Sequence, residues 1–180
     1  MSLQKRSVTG RDRLTRPTLL LVGEGSTEKA FLEHLRSLYC KDDAGVKVTI
    51  RNAHGKGPSN IIKKTARFAH GIGYDRRVAL LDTDITWTDQ NKRLARQQKI
   101  DLIGAIPCIE GLFLSILNKP VPESSQKCKN TLAKQLPAFN PLERKSYASH
   151  LSKEVLEEAR TRIPDLNKLL KYLECRPLRF

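Results

Sequence analysis

Four carboxylates in this 180-residue chain stand where α/β proteins commonly do chemistry. Glu24 follows the apolar run Thr18–Val22, Asp82 and Asp84 follow Arg77–Leu81, and Glu110 follows Leu102–Ile106. Each run reads as a strand, so three strands deliver acid to one end of a sheet. Like charges crowded in this way repel unless a cation or shared protons offset them. A donor set of oxygens alone, with His54 the nearest imidazole, suits Mg2+ or Mn2+ better than zinc. Asp82 and Asp84 on an extended chain would point to opposite sides, so the strand must bend there for both to serve one ion. Taken singly, each acid has a plainer explanation as a turn or cap residue, and Glu110 as a first-turn helix acid. Four together at one edge favour a shared divalent site.

The elements that must position them are legible from periodicity. Thr18–Val22 and Arg77–Leu81 are wholly apolar cores of the kind found in parallel strands covered on both faces. Ala30, Phe31, Leu35, Leu38 and Tyr39 recur at helical spacing, capped by Ser26 or Thr27. Val46, Val48 and Ile50 alternate as a strand. A helix runs from Ser59 to about His70, a polar helix covers Asp89–Gln98, and a fourth strand lies near Leu102–Ile106. Pro107–Glu110 reads as a bend before an apolar helix over Gly111–Leu117. Three further helices are expected near 124–136, 143–162 and 165–174. The order β-α-β-α-β-α-β predicts an α/β fold, a mostly parallel four-stranded sheet with helices on both faces, followed by a helical extension. We divide the chain into a basic arm (1–16), a catalytic domain (17–118) and a helical extension packed on it (119–180). In such sheets ligands gather at the carboxyl ends of the strands.

Lys and Arg number 33 against 19 Asp and Glu, for a net charge of +14. Residues 17–115, which hold the four acids, are the most nearly neutral stretch. An acidic spot in a basic protein suits a metal facing a phosphate backbone. Lys56 in the glycine-rich His54-Gly-Lys-Gly-Pro-Ser59 loop, together with Lys63, Lys64, Arg76 and Arg77, are the candidate phosphate contacts. That loop lacks the spacing of a nucleoside-triphosphate loop, and Gly23-x-Gly25 is no dinucleotide fingerprint, because Glu28 holds the third glycine's place. Aromatic residues are 6% of the chain, so sequence-blind backbone contact is the expected mode. Cys40, Cys108, Cys128 and Cys175 show no knuckle spacing and are expected to be reduced and structural. No apolar run is long enough to span a bilayer and the N-terminus has no apolar signal region, so the expectation is a cytoplasmic protein without a membrane partner.

The segments LLLVGEGSTEKAFL and VALLDTDI resemble the two signature motifs of the Toprim domain, a strand ending in Glu and a strand ending in DxD. With PCIEGLFLSIL after the fourth strand, the chain resembles most the RloB-like and OLD-like branch over residues 17–118. That branch usually carries an aromatic where Ile109 stands here. The resemblance implies a Toprim-like fold and a Mg2+-dependent nuclease acting on DNA or RNA, with a role in prokaryotic defence. It implies Glu24 as general acid/base or metal ligand, Asp82 and Asp84 as metal ligands, and Glu110 as the acid after the fourth strand. It further implies nucleic acid as partner, and admits an ATPase, another protein, or a further copy of the chain.

Two other readings use the same residues. LLDTDIT also matches the nucleophile loop of haloacid-dehalogenase-like phosphatases, where the first Asp forms a phospho-aspartate. That loop normally lies on the first strand, whereas two strand–helix units precede it here. The second reading is a non-catalytic nucleic-acid-binding or effector subunit of a larger complex.

Overall fold

The computed structural model of the protein describes residues 16–40, 45–55 and 57–174. The basic arm apart from Arg16, the candidate Lys56 and Cys175 lie outside the described residues. The elements run β1 (Thr18–Gly23), α1 (Ser26–Tyr39), β2 (Lys47–Asn52), α2 (Gly57–Ala69), β3 (Arg76–Asp82), α3 (Asp89–Gln97), β4 (Asp101–Ala105), α4 (Ile109–Ile116), α5 (Ser125–Gln135), α6 (Arg144–His150), α7 (Lys153–Arg160) and α8 (Pro164–Leu173). The four strands form one all-parallel sheet in the order β2-β1-β3-β4. The expected α/β class, the strands and the parallel pairing therefore stand.

Side chains one apart on a strand face opposite sides of the sheet, and the core divides accordingly. Leu19, Leu21, Val78, Leu80, Ile103 and Ala105 face a large apolar cluster built with α1, α4 and the helices after residue 124. Leu20, Val22, Ala79 and Leu81 face a smaller one with Ile61 and Ile62 of α2 and Ala95 of α3. Phe31, Phe113, Phe139 and Tyr147 pack in edge-on or tilted pairs, with ring centres 5.2–6.1 Å apart, and tie the helical extension to α1 and α4. The buried His34 donates or accepts through Nε2 at the Leu151 carbonyl, 2.7 Å away.

Two local expectations need correction. The single helix expected over 143–162 is two, α6 and α7, because the chain turns at Leu151 and Ser152 restarts the helix by capping the Val155 amide. The bend expected through Glu110 ends earlier: α4 begins at Ile109, so Glu110 is a first-turn helix residue. Among the described residues, no helix is long and apolar enough to cross a membrane. Cys40, Cys108 and Cys128 are free thiols, the last two buried.

Candidate metal centre

The order β2-β1-β3-β4 reverses direction between β1 and β3, since β2 lies on one side of β1 and β3 on the other. A crevice at the carboxyl ends of the strands forms where the winding reverses. Glu24 leaves β1 at that point and Asp82 ends β3 beside it. The Glu24 amide donates to the Leu80 carbonyl at 3.1 Å, and its own carbonyl accepts from Gly55 at 2.8 Å. Backbone bonds on both sides thus fix its position. Gly23 is needed just before it: a Cβ there would stand 2.8 Å from both Glu28 Cβ and the Lys29 amide, so only glycine lets α1 start so close to the strand.

The carboxylates are held in sequence, largely by main-chain amides. Glu28 Oε2 accepts from the Gly25 amide at 2.7 Å. Glu24 Oε2 accepts from the Asp82 amide at 3.1 Å. Asp82 Oδ1 accepts from the Ile109 amide at the start of α4, at 3.0 Å. The bend expected after Asp82 is present: the Thr83 amide bonds the Ala105 and Pro107 carbonyls, and the Asp84 amide bonds Pro107 as well. Asp84 is exposed, and its Oδ2 accepts from Ser125 Oγ at 2.6 Å, the first residue of α5. The helical extension therefore reaches the site. Glu110 is buried, at 8% exposure, and its Oε2 has no hydrogen-bond partner.

Capping accounts for one oxygen of Glu28 and one of Asp82, since a helix N-terminus welcomes a carboxylate. It does not account for the electrostatics. Burial pushes the Asp82 carboxyl up to about 8, and the charges of Glu28, Glu24, Asp84 and Glu110 push it the same way. Burial also raises Glu24, against the bond from the Asp82 amide and with the charge of Asp84. Glu28 is raised by burial and by Glu24 and Glu110, partly countered by its first-turn amides. Among the described residues, none of these five acids has a Lys or Arg within ion-pair distance.

The four acids expected from the sequence thus act on one another across one sheet edge, and Glu28 joins them as a fifth. Its signal was the capping spacing Gly25-x-x-Glu28, which places a glutamate three residues after a helix start. The candidate cations divide. Lys64 reaches the Ala53 carbonyl, 2.5 Å away at the carboxyl end of β2, and Lys63 is exposed on α2. Arg76 and Arg77 begin β3 and so lie at the far end of the strand from Asp82, roughly 20 Å away at strand rise. There Arg77 Nη1 donates to the Gln98 carbonyl at 3.1 Å. The structure does not bring either arginine to the carboxylates.

The donor chemistry fits a hard divalent cation: all oxygens, one of them buried and unpartnered at Glu110. As placed, however, no three His, Cys, Asp or Glu side chains among the described residues are already disposed to hold one ion together. One oxygen each of Glu28, Glu24 and Asp82 is bonded to a main-chain amide and one of Asp84 to Ser125, while Glu110 Oε2 has no partner. Compared with protein-family models, with curated proteins and with solved structures, the chain gives no match in any of the three.

Proposed function

We propose that the protein is a divalent-metal-dependent phosphodiesterase that cleaves nucleic acid, with the acidic edge as its catalytic centre. One observation supports this reading: at the winding reversal of the sheet the charges of Glu24, Glu28, Asp84 and Glu110 all act on Asp82, burial and those charges push it up to about 8, and no Lys or Arg among the described residues pairs with any of the five. A fold tolerates such repulsion where function requires it. Glu24, Asp82 and Asp84 would hold Mg2+ or Mn2+, with Glu110 supplying the buried oxygen and Glu28 raising the local negative charge. When bound, the metal supplies charge neutralisation at the phosphoryl oxygens and a more acidic water. The chain's own part is to fix Glu24 and Asp82 through backbone amides and to shield one side of the crevice with α4. Asp84 Oδ2 is engaged by Ser125, which leaves its other carboxylate oxygen to face an ion. The basic surface supplies the attraction for a phosphate backbone.

A second reading is favoured by the acids not being arranged as a ready shell: a nucleic-acid-binding subunit that does not cut. The test is cleavage of labelled single- and double-stranded DNA and RNA by the purified chain in Mg2+ and in Mn2+, with Asp82→Ala and Glu24→Ala as variants. We expect metal-dependent cleavage, reduced at least ~100-fold in Asp82→Ala. Salt-sensitive binding without cleavage in either metal would replace the nuclease by the binding subunit. Phosphate release from small phosphomonoesters alone would replace it by a phosphatase.

A further inference from the structure

The two edges of the sheet are finished differently. Along β4, α8 closes the edge: Asp165 Oδ2 accepts from the Gly104 amide at 3.3 Å, and the Tyr172 hydroxyl bonds Asp101. Along β2, no element among the described residues pairs with the outer side, for β2 is the end strand and its described partner is β1. Two grooves follow this open edge, where it meets α1. One, of about 720 Å³, starts beside the acidic edge at Ser26, Asn52 and His54 and includes Lys29, Arg51 and Phe68. The other, of about 350 Å³, continues from the shared wall at Glu33 to Arg36, Lys47, Arg16 and Arg144. Together they form a trough from the acidic edge down the length of β2.

The trough is lined by six cationic side chains and one carboxylate, Glu33, which is taken up by Lys29 at 3.5 Å. Arg16 donates its Nε to the Gly45 carbonyl. Among the described residues, the side chains of Arg36, Lys47, Arg51 and Arg144 make no hydrogen bond or ion pair. The same trough has an apolar floor and rim. Ile50 and Phe68 are half-buried in it, and Leu142 is 62% exposed at its side. Unpaired cations beside apolar side chains match a strand whose phosphates and base faces are both accessible, and a duplex would hide its bases.

We infer that the open β2 edge is a track for single-stranded nucleic acid, with phosphates on Arg36, Lys47, Arg51 and Arg144 and bases against Phe68, Ile50 and Leu142. The track leads the strand to the acidic edge; only that destination rests on the nuclease reading. The plainer role for Lys47 and Arg51 is to keep edges of two sheets apart. That role predicts no loss of binding when the charges go.

The test is fluorescence anisotropy with labelled oligodeoxyribonucleotides and oligoribonucleotides of about 12 residues, in chelator so that cleavage cannot occur, over a range of salt. The triple variant Arg36→Gln/Arg51→Gln/Arg144→Gln is compared with Lys92→Gln/Arg93→Gln/Arg96→Gln, which removes equal charge from the exposed face of α3. We expect the first to weaken binding at least ~10-fold and to flatten the salt slope by about 2, near 0.7 for each phosphate of a single strand that is no longer neutralised. The second should stay within about twofold. Equal losses in both, or none in the first, would overturn the track. So would tighter binding of a duplex than of either single strand, or a loss confined to vesicles of anionic lipid. Should the triple variant fold poorly by circular dichroism, Arg51→Gln alone must still weaken binding about threefold. Binding that survives in Asp82→Ala while no metal supports cleavage would sink the nuclease reading and leave the track intact.

Discussion

Asp75 and Asp82 lie at opposite ends of β3, and the fold treats them in opposite ways. Asp75 accepts two bonds from Thr18, from its amide at 2.7 Å and its hydroxyl at 2.8 Å, and these bonds, then the charge of Arg76, hold its carboxyl below the ordinary range. Asp82 accepts one amide, is half-buried among four other acids, and is pushed up to about 8. Around Asp75 lie Arg76, Arg77, Arg96 and Lys99, while among the described residues no cation pairs with Asp82. The same residue type is thus satisfied at one end of the strand and destabilising at the other. Satisfied charge is what structure alone requires. Unsatisfied charge, at the end where the winding reverses, is what marks the site.

The largest expected effect comes from removing that unsatisfied charge. A carboxyl raised in the folded state is protonated more readily there than in the unfolded chain. Its contribution is therefore fully present below the ordinary carboxylate range and is lost as pH rises from about 4 through about 8. Asp82→Asn keeps an oxygen for the Ile109 amide and abolishes the charge. In metal-free protein the variant is expected to be more stable than wild type at pH 9 by ~2–4 kcal/mol, less than the ~6 kcal/mol that four pK units at ~1.4 kcal/mol each would give, because solvent still reaches the half-buried carboxylate, and little different near pH 4. Thermal unfolding in chelator at the two pH values measures this. A variant equally or less stable at pH 9 would break the contrast between the two ends. Adding Mn2+ at pH 8 should raise the wild-type midpoint and not the variant's, because only a state that binds the ion gains from it.

The next effect concerns how firmly the acidic end is built. Gly111 follows Glu110 in the first turn of α4, and a Cβ there would stand 2.4 Å from the Ile106 carbonyl oxygen and 2.7 Å from Pro107 Cδ. Neither neighbour is the far end of a flexible side chain, so α4 itself must shift. Gly111→Ala is expected to cost ~2–3 kcal/mol, in the upper range for overpacking. Unlike Asp82→Asn, it should cost the same at pH 4 and pH 9. A loss below ~0.5 kcal/mol in urea unfolding would mean that the turn carrying Glu110 and the Ile109 amide is freer than the packing indicates.

The acidic half of this contrast is readable from the sequence, whereas nothing in the sequence singles out Asp75. The runs Leu19–Val22 and Val78–Leu81 declare strands buried on both faces, and an acid at the end of a buried strand has one place to go. Glu28 was less visible, because a glutamate inside a helix usually faces water and only the close approach made possible by Gly23 turns it inward. Arg76 and Arg77 misled because adjacency to a strand does not say which of its ends a charge will occupy in relation to a distant loop. The order β2-β1-β3-β4, and with it the winding reversal and the open edge, is fixed by contacts between segments far apart in sequence. Local pattern does not carry it. The break at Ser152 was likewise hidden, since Lys153–Arg160 is itself a good amphipathic helix and nothing in the apolar spacing marks where its predecessor stops.

The smallest expected effect lies at the other end of β3, and its sign matters more than its size. Asp75 is held below the ordinary range, so its contribution is present above the unfolded pKa and is lost as pH falls through the lower, folded value. The group is almost fully exposed, so solvent screens most of what its partners supply. Asp75→Asn should lower the unfolding midpoint by no more than about 2 °C at pH 7, and the deficit should shrink as pH falls below about 4. Wild type and variant would then converge in acid, whereas Asp82→Asn diverges from wild type in alkali. If Asp75→Asn instead gained stability at pH 9 as Asp82→Asn does, the gain would follow from replacing an aspartate at either end of β3 and not from the local crowding at its carboxyl end, since loss of a carboxylate from a chain of net charge +14 only adds to its overall self-repulsion. The case for a functional site at that end would then lose its main support.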